Sequence, residues 1–405
     1  MSALDTARVI ADLRELERRT GDERGAQRLC WGPEWADARA FLGELLAELE
    51  LRPEIDEAGN MWARLAGCDR DAPALTLGSH VDSVPNGGWL DGALGVMAAV
   101  GVLRSYASEP PSRDLVFVDW ADEEGARFGR SLFGSSAFSG TLEPEALKGL
   151  HDAEGRSIGD VLAVHGVELG RANECGRRRE GLGGYLELHI EQGPRMERDG
   201  IRVAAVSGCP GIERVRFAFR GQASHAGTTP MDARRDAGLA AAAAALEIER
   251  IPSDQGGVAT TGELRLVPGI PTAVPGEATL SVDLRNPDAE ALARMLDAAR
   301  RACTAAGDAR NCSVEETPVW RIEPIPFDPD LVTAAREACA QVAGTAEELT
   351  SGALHDAAEV ARVLPAGMMF CPSKGGISHA REEDTDESDL ALAIEAFAAF
   401  AGRVL

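Results

Sequence analysis

Between residues 70 and 125 short apolar runs alternate with amphipathic stretches, the pattern of parallel strands with helices crossing between them. An apolar run at 74–78 predicts a strand, 92–106 a helix after it, and 114–120 a second strand. Residues 184–190 and 367–371 read as further strands of the same kind. Near residue 208 the texture changes. Apolar and polar positions alternate at 214–220, a helix is predicted over 233–249, and strands over 257–267 and 278–285. A helix over 289–306 and a strand over 313–320 complete the series. The order β-α-β-β-α-β is the ferredoxin-like layout, a small open sheet with helices on one face. The expected fold class is therefore α/β. Residues 1–208 and 325–405 would form a mainly parallel-sheet domain, with an inserted ferredoxin-like α+β domain at 209–324.

Composition supports this division and narrows the function. A chain of 405 residues is too long for one ordinary core. With 44% hydrophobic and 26% charged residues it is a soluble globular type. No run of about eighteen apolar residues occurs, so no membrane partner is expected. The N-terminal segment mixes charge with apolar residues at helical spacing and lacks the build of a signal peptide, so a cytoplasmic location is expected. A formal charge of −25 argues against nucleic acid as a partner. It also means that a small anionic substrate needs a local positive group to hold it. The eight cysteines include no CxxC pair and are expected to be reduced and mostly buried.

Only seven histidines are present, and their surroundings are informative. His80 lies just past the first strand, in LTLGSHVDSVPNGGWLDGALG, where the loops of an open α/β sheet gather ligands. Asp82 is placed to brace the imidazole from outside, and Asp91 follows in a glycine-rich turn. The next strand ends in WADEEGARF and delivers Glu123 and Glu124; a third ends in LELHIEQGP, with His189, Glu191 and Gln192. His379 follows the last apolar strand, in MMFCPSKGGISHAREED. Imidazoles and carboxylates without thiolate suit zinc, manganese, cobalt or nickel. The spacing suits two divalent ions sharing Asp91, while the two adjacent glutamates point differently, one toward metal and one free to handle a proton.

The motifs GSHVDSVPNGGWLDGALG, DEEGARF…GSSAF, HIEQGP, GQASHAGTTPMDARRDA, VDLRN and GISH together resemble those of the dinuclear-metal amidohydrolases of the aminoacylase and carboxypeptidase G clan. Within it the chain is similar to the branch of N-carbamoyl-L-amino acid hydrolases, β-ureidopropionases and allantoate amidohydrolases. The resemblance runs from about Gly25 to the C-terminus. It implies a metallohydrolase domain carrying an inserted lid and dimerisation domain, with two metal ions per chain. His80, Asp91 and His189 would hold one ion, and Asp91, Glu124 and His379 the other. Glu123 matches the general base. His225 matches a residue that stabilises the oxyanion, in this family sometimes from the partner subunit of a homodimer. Arg285 matches the residue that grips the substrate carboxylate, a task that suits a planar guanidinium. Gln192, Gly352 and Ala353 match substrate contacts, and His355 a structural or outer group beside Asp356. The implied reaction is cleavage of the carbamoyl (ureido) C–N bond of an N-carbamoyl amino acid or close analogue, giving amino acid, ammonia and carbon dioxide.

Three positions depart from the family pattern. Gly269 and Thr272 stand where asparagine is usual, and Leu354 where glycine is usual. Thr272 keeps one hydroxyl donor but lacks the paired donor and acceptor of an amide. The metal centre shows no departure, so the reaction type is expected to be kept and the acid end of the substrate to differ. An allantoate amidohydrolase or a β-ureidopropionase is the nearest alternative. An aminoacylase or dipeptidase, or a non-catalytic relative that kept the fold, stands further off.

Overall fold

The long apolar runs become buried strands of one eight-stranded sheet in the structure, a computed structural model that describes residues 4–405. In chain order the first six are β1 (Glu54–Ile55), β2 (Met61–Leu65), β3 (Ala74–His80), β4 (Leu115–Trp120), β5 (Leu182–Ile190) and β6 (Ala204–Val206). A separate four-stranded sheet follows: β7 (Gly211–Arg220), β8 (Val258–Val267), β9 (Glu277–Asn286) and β10 (Ser313–Ile322). The chain then returns to the first sheet with β11 (Glu348–Leu349) and β12 (Ala366–Cys371). Two compact units result: the residues through Gly208 with Pro326–Leu405, and Cys209–Ile325.

In the first unit the strand order is β11-β6-β12-β5-β3-β4-β2-β1. The central run β12, β5, β3 and β4 is parallel, while β6 and β2 flank it antiparallel. Every residue of β3, β4 and β12 is buried, as expected of a sheet covered on both faces. Helix α1 (Ala93–Tyr106) is correspondingly apolar nearly all round and buried along most of its length. Strands β3 and β4 approach so closely that a Cβ on Gly78 would lie 1.9 Å from the Val118 carbonyl oxygen. Because the central strands are parallel, their C-terminal ends share one edge, and the loops leaving that edge carry the candidate chemistry.

The second unit has the order β8-β9-β7-β10, antiparallel throughout. Strands β7 and β9 alternate buried and partly exposed positions, so one face carries Val215, Phe217, Phe219, Leu280, Val282 and Leu284. Helices α2 (Ala237–Ile248) and α3 (Ala289–Asp308) cover it, α3 through the stripe Leu292, Met295, Leu296, Ala299 and Cys303. This is the expected ferredoxin-like arrangement, and the α/β fold class is the one observed. Helix α2 starts at Ala237, later than the pattern predicts. Asp236 caps it by accepting from the Leu239 N–H at 3.0 Å, and Met231–Ala233 forms a separate 3₁₀ turn.

No disulfide joins any of the eight cysteines; Cys68 is exposed and the other seven are buried. Among the described residues no helix is long and apolar enough to cross a membrane.

Candidate active site

Strand β3 ends on His80, whose Nδ1 lies 3.1 Å from the Asp82 backbone carbonyl and 3.6 Å from Asp82 Oδ1. The carbonyl makes the closer contact, and the Asp82 carboxylate stands beside the same ring nitrogen. That carboxylate also accepts the backbone N–H of Glu123 at 3.3 Å and of Glu124 at 3.2 Å, fixing the turn that ends β4. His189, in β5, places Nδ1 2.9 Å from the Ile190 carbonyl. A carbonyl can only accept, so both rings carry a proton on Nδ1 and turn Nε2 inward.

Two sets of donors result, each with ligand atoms within 4.8 Å of one another: His80, Asp91 and His189, and Asp91, Glu124 and His379. Asp91 is common to both. Its Oδ1 lies 3.2 Å from His189 Nε2 and 3.9 Å from His80 Nε2; its Oδ2 lies 3.2 Å from His379 Nε2. His379 Nε2 is also 3.5 Å from Glu124 Oε2. Glu123 belongs to neither set, yet its Oε2 is 3.7 Å from His80 Nε2. Gln192 donates Nε2–H to Asp91 Oδ2 at 2.9 Å and so stands at the same carboxylate. Ser351 Oγ, which accepts from the Ala353 N–H at 3.1 Å, is 3.1 Å from His355 Nε2. The His355 ring stacks 4.4 Å from that of His189, which brings the 352–354 loop to this side of the site.

A third convergence, Cys30, Asp82 and Asp122, has a different character. The Asp82 oxygens are engaged by backbone N–H groups, and Asp122 accepts from Trp31 Nε1 at 3.2 Å. We read it as a brace beneath the glutamate turn.

The first unit's site holds more negative charge than the protein's own cations offset. Burial pushes Asp122 up to about 8 and Glu124 and Glu383 up to about 7, with neighbouring carboxylates adding to each shift. Burial also drives Glu123 well above the usual carboxylate range, only partly opposed by His80. Burial disfavours protonated His80, but Glu123, Asp82 and Asp91 outweigh it and hold the ring well above its ordinary range. Asp91 is buried too, yet His189 and His379 keep it well below the usual range. His189 Nε2 is buried, with Asp91 Oδ1 beside it at 3.2 Å but no aligned hydrogen bond. Inward-facing imidazole nitrogens and a surplus of buried carboxylates fit a pair of divalent cations.

The remaining candidates belong to the second unit. His225, in a short ribbon pairing Ser224–His225 with Ala273–Val274, is exposed. Its Nδ1 accepts the Gly227 N–H at 3.0 Å and the Thr228 N–H at 3.3 Å, so the ring proton sits on Nε2. Thr272 adjoins this ribbon and accepts the Ala226 N–H on its carbonyl at 2.9 Å. Gly269 has φ +70°, a conformation that glycine and asparagine both tolerate, which gives its departure from the family pattern a backbone reason. Arg285 lies on β9 between Ile212 and Val258, with Nε 2.9 Å from Asp283 Oδ1.

Sequence reasoning missed Glu383, Ser378 and Arg28. Glu383 is buried and accepts from the Leu90 and Asp91 N–H groups, Ser378 donates to Glu383 at 2.8 Å, and Arg28 is a buried guanidinium whose charge faces the site.

The family model described as Peptidase family M20/M25/M40 matches residues 76–403. The chain belongs to this family. The N-carbamoyl-L-amino-acid amidohydrolase of Paenarthrobacter aurescens is 35% identical over 390 residues, covering 95% of this chain and 94% of that protein. The allantoate amidohydrolase of Bacillus subtilis is 32% identical over 385 residues, covering 92% and 91%. Among solved structures, a hydantoinase/carbamoylase family amidase from Burkholderia ambifaria superposes with a TM-score of 0.89 at 32% identity, over 99% of this chain and 98% of that one. The resemblance carried by the motifs is thus borne out at the level of family and branch.

Proposed function

We propose that this hydrolase cleaves the carbamoyl C–N bond of an N-carbamoyl amino acid or a close ureido analogue. The observation that carries the reading is the pair of donor sets sharing Asp91, with Glu123 beside His80 but outside both sets. His80, Asp91 and His189 would hold one divalent cation, and Asp91, Glu124 and His379 the other. Such ions supply Lewis acidity to the scissile carbonyl and to the attacking water. Glu123 then accepts a proton from that water and returns it to the leaving amine. The carbamic acid released decomposes to ammonia and carbon dioxide. His225 suits the oxyanion role because its outward Nε2 carries the proton and can donate. Arg285 supplies the positive charge that an anionic substrate of this acidic chain requires, and Gln192, Thr272, Gly352 and Ala353 line the substrate.

The names of the relatives support the carbamoyl bond; the acid end is open to the allantoate or β-ureidopropionase variants. Thr272 and Leu354 favour an unusual acid end. The test is ammonia release across a panel of N-carbamoyl, β-ureido and allantoate substrates. The reading expects turnover of ureido acids with weak use of N-carbamoyl-L-methionine; rapid turnover of that compound removes the case for an altered acid end. Homodimerisation through the second unit belongs to the same proposal. Leu239 and Leu246 on α2, and Leu264, Leu266 and Val267 on β8, are exposed apolar residues beside an edge strand. A cytoplasmic setting accords with the unpaired thiols.

A further inference from the structure

Asp91 enters both donor sets, so whatever fixes its turn fixes both. Within the turn, the Asp91 and Leu90 carbonyls accept from Ala93 and Leu94. Its backbone is held from outside by Glu383, whose Oε1 accepts the Leu90 N–H at 3.0 Å and the Asp91 N–H at 2.9 Å. The other oxygen of Glu383 accepts from Ser378 Oγ at 2.8 Å, in the residue just before His379. Ser378 Oγ also stands 3.2 Å from Asp91 Oδ2. One carboxylate thus grips two segments almost three hundred positions apart, each ending in a candidate ligand of the same ion.

The fit around this carboxylate is close. Glu383 is 1% exposed. A Cβ on Gly88 would meet Glu383 Oε1 at 2.0 Å, so the turn crosses directly over the side chain and only glycine allows it. A buried carboxylate needs hydrogen bonds, and Glu383 accepts from two backbone N–H groups and one hydroxyl.

We propose that Glu383 is a positioning residue that ties the Asp91 turn to the His379 loop and so sets the geometry of the site formed by Asp91, Glu124 and His379. The inference rests on the two-cation reading above. Outer groups that orient metal ligands are typically worth about 10–100-fold in metal affinity.

The test is zinc titration of the metal-stripped full chain, wild type against Glu383→Ala and Glu383→Gln, alongside amide hydrogen exchange of the stripped proteins. In Glu383→Ala the ion of the Asp91, Glu124 and His379 set should bind about 10–100-fold more weakly, and the other, which shares Asp91 but not the His379 loop, should weaken less. The Leu90 and Asp91 amides should exchange faster, although no ion is present to report on. Glutamine keeps an acceptor for both amides and should restore affinity to within about threefold of wild type, less than one hydrogen bond's usual worth. Equal loss with alanine and glutamine overturns the tether, as does wild-type affinity for both ions in Glu383→Ala. A wild-type chain that takes up no second ion overturns the two-cation reading, and this inference with it.

Discussion

At the scale of single residues the site divides into groups that converge on Asp91 and one that stands beside them. Glu123 shares a turn with Glu124 and both backbone N–H groups are held by Asp82, yet only Glu124 joins a donor set. If Glu123 handles the proton, Glu123→Gln should lower kcat by about 10²–10⁴-fold, the usual worth of a general acid–base group. Metal content should stay at the wild-type level, since the residue donates to neither set; steady-state kinetics and metal analysis of one preparation check both. The candidate ligands were legible because His80, Glu124 and His189 lie at or near the ends of apolar strands and Asp91 and His379 in the glycine-rich loops that follow. Glu383 was not. It lies beside Glu382 in a run of charges that reads as solvated loop, and only the fold shows that one is buried and the other exposed. Likewise nothing in GAQRLCW announces that Arg28 is buried with its charge toward the site.

At the scale of elements, periodicity located the central strands and the helices at Ala93–Tyr106, Ala237–Ile248 and Ala289–Asp308, but not those at Pro33–Ala47, Pro329–Ala343 and Glu387–Val404. It did not locate β1, β6 or β11, which are two or three residues long and carry no period. Adjacency in sequence put the Asp82 carboxylate beside the imidazole but could not show that it also holds the next strand's turn. The close approach of β3 and β4 makes a separate prediction. Gly78→Ala places a methyl against the Val118 carbonyl and should destabilise the chain by about 1–3 kcal/mol, the typical cost of overpacking. Chemical denaturation of the stripped protein measures this; an unchanged midpoint would mean that the strands part without cost.

For the whole molecule, a second sheet lies within the sequence of the first, and the change of pattern near residue 208 falls where the first unit gives way to the second at Gly208. The exposed apolar residues of β8 and α2 give the proposed homodimer its test. Leu264→Glu with Leu266→Glu should convert a dimer to monomers in sedimentation velocity without altering the near-ultraviolet circular dichroism of the subunit. A wild-type chain already monomeric would remove the dimer from the account.

The central claim is metal-dependent hydrolysis of a ureido C–N bond. Its most direct test is to strip the protein with chelator, restore divalent metal, and quantify ammonia and free amine from a ureido acid in the same reaction. The account predicts equal amounts of ammonia and amine, absent from the stripped protein and restored as a second ion per chain is taken up. Amine released from N-acyl or dipeptide substrates without ammonia, or turnover indifferent to chelation, would contradict it.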